Sequence, residues 1–394
     1  MMEGWKEYKL KDVFHFYNGK AVSANAFGKY PIYGSNGQIG YTDEYKFRNS
    51  IIIGRVGAYC GAVFYEKDKF WASDNTIVVN NKEGFDIEFL SYLISLMNLN
   101  WFAGGSAQPL LTHSWIKPIK VTMPEFPTQR KIAKILSAYD NLIANNLKRI
   151  KLLEEIAQKT YEEWFVFRKI DNELIDDSQI EFQNLEELIA DYMNGGWGKE
   201  VEEGSYTVPA YVIRGTDMPD ISSGSFNKLP LRFHTNSNFK SRELQSGDVI
   251  IEMSNGNINN VGRSFYYDRD FNKLIEHPAM CASFCKMLRP KTVELSYIVD
   301  SHINYIYETN RMLVYKSQAA NGINNFRFED MISDEVLSIP KGKLISKLVA
   351  TLKPKYELIS KVRNQIRLLK EARDILLPRL MTGMIDVEKL ELEL

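Results

Sequence analysis

The sequence predicts an α+β protein with two mixed, strand-rich domains separated by two long antiparallel helices packed as a coiled coil, in a pseudo-twofold symmetric arrangement. The main observation is an internal repeat. Each copy has a segment rich in turns and β-branched residues, followed by a long glycine-free stretch with apolar residues every 3.5 positions. The two helical stretches register at a constant offset of 216 residues, so that Leu136 matches Leu352 and Ile143 matches Ile359. Such a repeat predicts two similar domains, each followed by its own spacer helix.

Changes of pattern along the chain predict the boundaries of these parts. Turn signals such as Asn18-Gly19 alternate with β-branched runs in the first segment, which favours strands. Pro127 is a suitable first residue for a helix. We therefore predict a first strand-rich domain at 1–126, a first spacer helix at 127–168, an acidic linker at 169–181, a second strand-rich domain at 182–340, and a second spacer helix with a C-terminal tail at 341–394.

The second strand-rich domain repeats local patterns of the first. The segment from Leu10 to Gly19 has its echo from Leu185 to Gly195. Residues 247–251 likewise echo residues 49–53, in both cases a polar residue followed by a β-branched run. The repeat therefore includes the strand-rich domains as well as the helices.

The 3.5-residue period predicts that the two helices pack on each other along a heptad seam. The alternative is that each helix packs only on its own domain. Asn146 falls on the seam, where it fixes the register, lies at a solvated end or faces a partner. The predicted seam residues are Leu136, Ile143, Ile150, Leu153, Leu352, Ile359, Ile366 and Leu369.

Composition limits the class of protein. A chain of 394 residues is long enough for two or three domains with separate cores. The net charge of −1 gives no overall signature of nucleic-acid binding, so such binding must depend on local basic surface. No apolar run approaches the ~20 residues of a membrane span. The three cysteines are too few and odd in number for a disulfide framework, so we expect a cytoplasmic protein that does not enter a membrane.

The order of domain, long helix, domain and long helix resembles the specificity subunits of type I restriction-modification systems. The motifs that carry the resemblance are Pro127-Thr128-Gln129-Arg130-Lys131-Ile132, the pair Leu152-Leu153, the helix end Trp164-Phe165, and the segment from Leu376 to Gly383. The resemblance covers nearly the whole chain. The second copy departs from it at Lys341-Gly342-Lys343, where the proline-glutamine pattern is missing.

The resemblance implies a function in DNA recognition. Each strand-rich domain would be a target-recognition domain that reads one half of a split site in double-stranded DNA, and the helices would fix the half-site separation. The resemblance also implies a subunit without catalysis or cofactor of its own. Its expected partners are two DNA adenine methyltransferase subunits and ATP-driven restriction/translocase subunits, with S-adenosylmethionine and ATP bound on those partners. The alternative is a paired-head protein-interaction scaffold without DNA specificity.

Side chains that read bases in a major groove are Asn and Gln for adenine and Arg and Lys for guanine. Glycines flank most such residues here and let the backbone approach a groove closely. The alternative is that these segments are only tight turns. The candidates in the first domain are Lys20, Ser35, Asn36, Gln38, Arg55, Asn75 and Gln108, and those in the second are Arg214, Asn255, Asn257, Asn259, Arg263, Gln318 and Asn321.

Other chemistry has weaker support. Residues 341–382 contain eleven Lys or Arg and three acids, an excess of eight positive charges. These basic residues contact DNA phosphates, contact an acidic partner surface, or are simply solvated.

His277, Cys281 and Cys285 have a spacing that suggests a metal site, but residues 279–288 look like one buried strand, on which positions four apart are ~13 Å apart. We therefore expect core packing and no metal. No phosphate loop and no Pro-Pro dipeptide is present, so a fused methyltransferase is not favoured. A nuclease centre at Glu66-Lys67 near Asp43 is not favoured either, because such carboxylate-lysine pairs are common on protein surfaces.

Overall fold

The computed structural model describes residues 4–105, 109–226, 228–268, 270–318 and 322–389. The chain divides into two compact units, the first formed by Met1–Leu142 with Lys370–Leu394 and the second by Ile143–Leu369. Each unit contains one strand-rich domain, called a head below, and parts of both long helices. The first head comprises the strands before residue 126 and the second head those between residues 169 and 340.

The first half of the chain contains eight strands and four α-helices within its described residues. They are β1 (Lys6–Lys9), α1 (Leu10–Val13), β2 (Phe14–Asn18), β3 (Tyr30–Gly34), β4 (Gly37–Thr42), β5 (Phe47–Gly54), β6 (Val63–Ala72), β7 (Thr76–Asn81), α2 (Ile87–Ser95), α3 (His113–Ile116), β8 (Lys120–Met123) and α4 (Phe126–Tyr161). One turn of π-helix, Glu162–Val166, continues α4.

The second half has shorter strands and an additional small sheet. Its elements are β9 (Lys169–Ile170), β10 (Glu173–Leu174), β11 (Ile180–Asn184), β12 (Ile189–Asn194), β13 (Val208–Ile213), α5 (Met218–Ser222), β14 (Leu231–His234), α6 (Asn236–Arg242), β15 (Val249–Glu252), β16 (Ser254–Asn255), β17 (Ser264–Tyr266), β18 (Ala279–Cys281), β19 (Cys285–Pro290), α7 (Val293–Glu308), β20 (Lys316–Gln318), β21 (Asn324–Phe326), α8 (Phe328–Asp334), β22 (Val336–Pro340) and α9 (Lys343–Met381).

The strands of the two heads pair in corresponding orders, which form one six-stranded sheet in the first head and two separate sheets in the second. In the first head the antiparallel order β2-β7-β5-β6 continues through a parallel pairing of β6 with β3, which pairs with β4. In the second head the antiparallel order is β12-β19-β15-β17, and β18 pairs in parallel with β13, which pairs with β14. A two-stranded ribbon, β1-β8 or β11-β22, leads into each long helix. The internal repeat is therefore a repeat of fold.

A pair of glycines explains why the heads fold alike at the end of β2 and β12. A Cβ on Gly19 would lie 1.8 Å from the carbonyl oxygen of Ser73, and one on Gly195 would lie 2.1 Å from that of Ala282. Each position requires glycine because another strand-connecting turn lies directly against it. The Gly19 N–H donates to the Thr76 carbonyl at 3.2 Å, and the Gly195 N–H donates to that of Cys285 at 3.0 Å.

The first long helix is anchored by a buried glutamine. Gln129 is 1% exposed, donates to the Pro124 carbonyl at 2.9 Å, and accepts from the backbone N–H of Asp86 at 2.9 Å. Its side chain therefore connects the start of α4 to the N-cap of α2, because Asp86 caps that helix. The helix begins one residue before the predicted Pro127, which still lies in the first turn, where its missing N–H costs nothing.

The long helices pack on each other in antiparallel fashion along the heptad seam. In the first unit, Leu136 near the start of α4 belongs to one core with Leu380 near the end of α9. In the second unit, Ala157 near the end of α4 shares a core with Leu348 and Leu352 near the start of α9. The middle of the seam, also within the second unit, contains Ile143, Ile150, Ile359, Val362 and Ile366, with Leu153 and Leu369 packed against them. Asn146 is half-buried there.

The region predicted as a linker is partly regular. Strands β9 and β10 form a short hairpin, and β11 begins at Ile180 and pairs with β22. The hairpin has left-handed backbone at Asp171 and Asn172, two residue types that tolerate this conformation. Its acidic, polar composition concealed the hairpin from sequence reasoning because a two-residue strand leaves no periodic pattern.

The segment expected to be one strand around Cys281 and Cys285 is two strands, β18 and β19, joined by a turn at residues 282–284. Both thiols are buried in the core of the second head. Burial raises the pKa of Cys281 to about 12 and also raises that of Cys285, which keeps both thiols protonated. Core packing is confirmed for these cysteines, but the strand geometry used to argue for it was wrong.

Truncation of a seam residue should weaken the protein far more than truncation of its neighbour. Ile366 is completely buried and Leu368, two positions later on α9, is 50% exposed. Ile366→Ala should lower the free energy of unfolding by about 2–5 kcal/mol because it leaves a cavity in the seam. The matched control Leu368→Ala should cost well under about 1 kcal/mol. Urea titration followed by circular dichroism measures both, and equal losses would contradict a packed seam.

Candidate nucleic-acid interface

Main-chain hydrogen bonds define equivalent loops in the two heads. The Arg55 N–H donates to the Asn75 carbonyl at 3.0 Å, and the Met253 N–H donates to the Phe284 carbonyl at 2.8 Å. The turn before β7 and the turn before β19 therefore hold corresponding loops in place. Arg55 corresponds to Met253, and Asn75 corresponds to Phe284.

A second pair of bonds adds the third loop. The Ser73 N–H donates to the Tyr33 carbonyl at 2.9 Å, and the Ala282 N–H donates to the Ile213 carbonyl at 2.8 Å. The residue after Tyr33 and Gly34 is Ser35, and the corresponding residue after Ile213 and Arg214 is Gly215. In each head, three loops thus meet at the same place, after β3 or β13, after β5 or β15, and before β7 or β19.

In the first head these loops line a cleft of about 360 Å³. The Ser35 hydroxyl donates to the Asn75 carbonyl at 2.7 Å, so this one carbonyl joins two of the loops to the turn. Asn36 and Asn75 are exposed on the lining, and Arg55 is half-buried beside it. The structure therefore brings three of the predicted residues, Ser35, Asn36 and Asn75, together at a concave surface and places a fourth, Arg55, next to it.

The other candidates of the first head lie elsewhere or outside the description. Lys20 is exposed next to the cleft residue Ala21, and its N–H donates to the Ala72 carbonyl at 2.8 Å. Gln38 is exposed on β4 and is not part of the cleft lining. Gln108 lies outside the described residues.

In the second head a buried carboxylate organises the corresponding loops. Glu252 is 3% exposed and occupies the position of Gly54 in the first head. Its carboxylate accepts from Arg263 Nη2 at 2.8 Å and from Asn255 Nδ2 at 2.7 Å. A Cβ on Gly215 would lie 2.1 Å from the Glu252 side chain, so the carboxylate could not keep this position opposite any other residue. The carboxylate is compensated by the guanidinium and the amide, as a buried charge must be.

The two predicted arginines of the second head are engaged in internal ion pairs. Arg214 forms a bidentate pair with Asp217, with distances of 2.9 and 2.6 Å. Arg263 donates from Nη2 to Glu252 and also to the Gly215 carbonyl at 2.6 Å. In this structure both guanidinium groups therefore fix loop shape, and a guanine would have to compete with carboxylates for them.

The asparagines of the second head shape a loop. Asn255 Oδ1 accepts from the N–H of Asn257 at 2.7 Å, and Asn257 Oδ1 accepts from that of Asn259 at 3.0 Å. These are successive side-chain turns of the kind that asparagine favours. Asn257 and Asn259 are exposed, whereas Asn255 is half-buried.

A small sheet places Gln318 close to this asparagine loop. Asn255 on β16 and Gln318 on β20 both pair with Asn324 on the central strand β21, from opposite sides. Gln318 is exposed, and Asn321 lies outside the described residues. The structure thus brings Asn255 and Gln318 to one surface through a strand that the sequence did not reveal.

Sequence reasoning missed three residues of these loops. Glu252 was hidden because a carboxylate at the end of an apolar run looks like the solvated end of a strand. Tyr59 lines the first cleft and is 59% exposed, and Phe284 is 69% exposed in the second head. Alignment of the repeats on the turns at Ser73 and Ala282 would have found Phe284, since it places this residue at the position of Asn75.

The excess positive charge of residues 341–382 is reduced by internal pairing. Arg363 is only 7% exposed and lies 3.6 Å from Asp268. In the first unit Arg373 pairs with Asp140 at 2.7 Å, and in the second unit Lys347 pairs with Asp171 at 2.6 Å. At least three of the eleven basic residues are therefore committed to the protein itself.

A larger cavity of about 570 Å³ lies away from the loops, within the second unit. Asp300, on α7, is 3% exposed and accepts from the Tyr356 hydroxyl at 2.7 Å and from Asn304 Nδ2 at 3.1 Å. Burial raises the pKa of the Asp300 carboxyl to about 7. This cavity lies beside the seam residue Ile359 and joins the second head to the long helices of its own unit.

Comparison with known proteins identifies the class. Residues 2–156, which comprise the first head and most of α4, match the family described as the type I restriction modification DNA specificity domain. The predicted resemblance to specificity subunits of type I restriction-modification systems is confirmed, and such subunits are not themselves enzymes.

Individual relatives have the same designation. A type I restriction enzyme specificity subunit of Escherichia coli is 37% identical over 114 residues, which are 29% of this chain and 28% of that protein. One from Methanocaldococcus jannaschii is 27% identical over 332 residues, covering 78% of this chain and 71% of that protein. The chain thus spans less than a third of the length of the first relative and just over two thirds of the second.

A solved structure supports the fold along most of the chain. The crystal structure of a type I restriction-modification S subunit from M. genitalium has a TM-score of 0.58 at 18% identity, covering 95% of this chain and 96% of that one. The predicted fold class, strand-rich domains with two long antiparallel helices, is confirmed. In the described ranges, no helix is long and apolar enough to cross a membrane and no cluster of His, Cys, Asp and Glu could hold a metal.

The raised pKa of Asp300 predicts a pH-dependent contribution to stability. In the unfolded chain this carboxyl loses its proton near its ordinary pKa of 3.8, whereas the folded protein retains the proton to about pH 7. The folded state therefore binds more protons in this window, and the free energy of unfolding should fall as pH rises from about 4 to about 7.

The urea midpoint of Asp300→Asn should fall less steeply with rising pH than that of the wild type. The exposed control Asp334→Asn should keep the wild-type slope, and an unchanged slope in Asp300→Asn would contradict the assignment.

Proposed function

We propose that this chain is the DNA-recognition subunit of a type I restriction-modification complex, and that it reads a bipartite target and directs methyltransferase and restriction subunits to it. The observation that carries the proposal is that both heads present the same three loops, supported by the same hydrogen bonds, while the residues on those loops differ. One scaffold with two different surfaces suits two different half-sites. The match of the first repeat to a DNA specificity domain supports the same conclusion.

The chemistry of the loops suits base reading better than it suits catalysis. The first head offers Asn36 and Asn75 on a concave surface, with the half-buried Arg55 next to it, and amide side chains can contact adenine in two places at once. The second head offers Asn257, Asn259 and Gln318. Exposed lysines near these loops, such as Lys20, would contact phosphates, which position a protein without reading sequence.

The chain itself needs no cofactor in this proposal. S-adenosylmethionine would be bound by two adenine methyltransferase subunits, and ATP by the restriction/translocase subunits. The complex would act on DNA in the cytoplasm. Purified chain should therefore neither transfer methyl groups nor cut DNA.

The outer face of the first long helix offers a docking surface for a methyltransferase subunit. Leu152 and Ile156 lie four residues apart on α4, which places them on one face, and they are 57% and 48% exposed. This face is about a third of a turn away from the buried seam residues Ile150 and Ala157. Two exposed aliphatic side chains on one helix face would suit an apolar partner surface.

The ruler role of the helices can be tested by lengthening them. Duplicating residues 144–150 in α4 and the matching residues 360–366 in α9 adds one heptad to each helix and preserves the seam. This adds about 10 Å, the length of about three base pairs. Selection of sites from a random duplex library should return the original half-sites with a longer spacer.

A loop insertion supplies the control for that experiment. Seven residues inserted after Glu203, an exposed residue of the second head, lengthen the chain equally but leave the helices unchanged. This variant should select the wild-type site. Altered half-sites with the original spacing in the heptad variant would contradict the ruler. Binding that shows no steep salt dependence would favour the protein-interaction scaffold.

The docking surface predicts a separation of functions. The double variant Leu152→Asp, Ile156→Asp should lose at least about tenfold in affinity for methyltransferase subunits, because it removes two apolar contacts. Its DNA-site selection should remain that of the wild type. Val201→Asp, at a 64% exposed residue of the second head, is the matched control and should bind those subunits normally. Co-purification with quantitative titration measures the effect, and normal assembly of the double variant would refute this surface.

A further inference from the structure

We propose that Phe284 is a specificity-determining residue of the second head and contacts the 5-methyl group of a thymine in the major groove; this inference rests on the proposed function. Its position is the first argument. Phe284 occupies the position that Asn75 has in the cleft of the first head. Its carbonyl accepts a hydrogen bond from the Met253 N–H at 2.8 Å, as the Asn75 carbonyl does from the Arg55 N–H. The inference therefore concerns the same loop surface in the other repeat.

The second argument is how the ring is held. Phe284 lies in the turn between β18 and β19. Cys281 and Cys285, on either side of this turn, are at most 1% exposed. The Cys285 N–H donates to the Ala282 carbonyl at 2.8 Å, which closes the turn. The backbone is thus fixed from both sides while the phenyl ring is 69% exposed. Single exposed apolar residues are common, but this ring is large, rigidly mounted and at the candidate surface.

The third argument is chemical complementarity with the neighbouring loop. Met253, bonded to Phe284, leads directly into β16 and the exposed amides of Asn257 and Asn259. Amide side chains suit adenine, and every adenine is paired with a thymine whose methyl group lies on the same groove edge. Phenylalanine is one of the side chains that contact this methyl group. An amide loop and an apolar ring on one surface are therefore matched to A·T pairs.

The test uses the full chain and a duplex site selected with it from a random library. Each thymine of the site is replaced in turn by uracil, which removes only the 5-methyl group. Loss of one buried methyl group should weaken wild-type binding about fourfold at one or two positions of one half-site. Phe284→Ala should bind the thymine site about as weakly as the wild type binds the uracil site, and it should not distinguish the two bases there.

Two further variants control the test. Phe284→Leu keeps an apolar group on the same turn and should retain part of the thymine preference. Phe182→Ala removes a phenyl ring that is 59% exposed on β11, under the Arg168 guanidinium at 5.1 Å, and should behave as the wild type. Circular dichroism confirms that each variant is folded.

The outcomes separate this inference from the function on which it rests. If a site is selected but Phe284→Ala keeps the wild-type response to uracil, or if no thymine responds in the wild type, the role of Phe284 is refuted and the proposed function stands. If the wild type selects no sequence from the library, the proposed function fails and the inference fails with it.

Discussion

The packing of two antiparallel helices along one heptad seam is the interaction on which the rest of the structure depends. Ile143, Ile150, Ile359 and Ile366 are almost completely buried in it, although each helix carries charged residues on its other faces. Burial of each such side chain contributes about 1.5–3 kcal/mol. Most of the stability of such helices comes from packing their apolar faces and not from helix propensity. Each helix therefore requires the other, and each compact unit contains segments distant in sequence.

The repeat shows which parts of a recognition head are fixed and which vary. Gly19 and Gly195 are required by the same close approach to a turn, so the scaffold leaves no choice at these positions. At another pair of corresponding positions, Gly54 and Glu252, the two heads carry different residues. Gly54 faces the Ser35 backbone in the first head, whereas Glu252 faces Gly215 in the second. The space between these two loops is filled by backbone in the first head and by the Glu252 carboxylate in the second. Such exchanges alter the loop surface without disturbing the strands beneath it, which is what two different half-sites would demand.

The sequence predicted those features that repeat with a regular period. The seam, the two helices and the two strand-rich domains follow from a 3.5-residue spacing and a 216-residue offset, and the structure contains them. The small sheet of β16, β20 and β21 was beyond prediction, because strands of two or three residues carry no alternation. The turn at residues 282–284 was missed because the buried residues on either side of it read as one apolar strand. The partners of Arg214 and Arg263 were also hidden, since a contact such as Arg263 with Glu252 depends on three-dimensional loop geometry.

Those internal partners change what the second head can recognise. A guanidinium group that already donates to a carboxylate at 2.6–2.8 Å can read a guanine only after that bond is broken or shared. Breaking the Arg263 pair would leave Glu252 buried without its cation, which costs about 3–5 kcal/mol, more than the ~1–3 kcal/mol that one good bidentate base contact provides. The guanine contact is therefore unfavourable at Arg263 unless the loop opens. Among the candidate residues of the second head that the structure describes, those without a carboxylate partner are exposed amides and an aromatic ring. Under the proposed function, the second head would therefore favour A·T pairs.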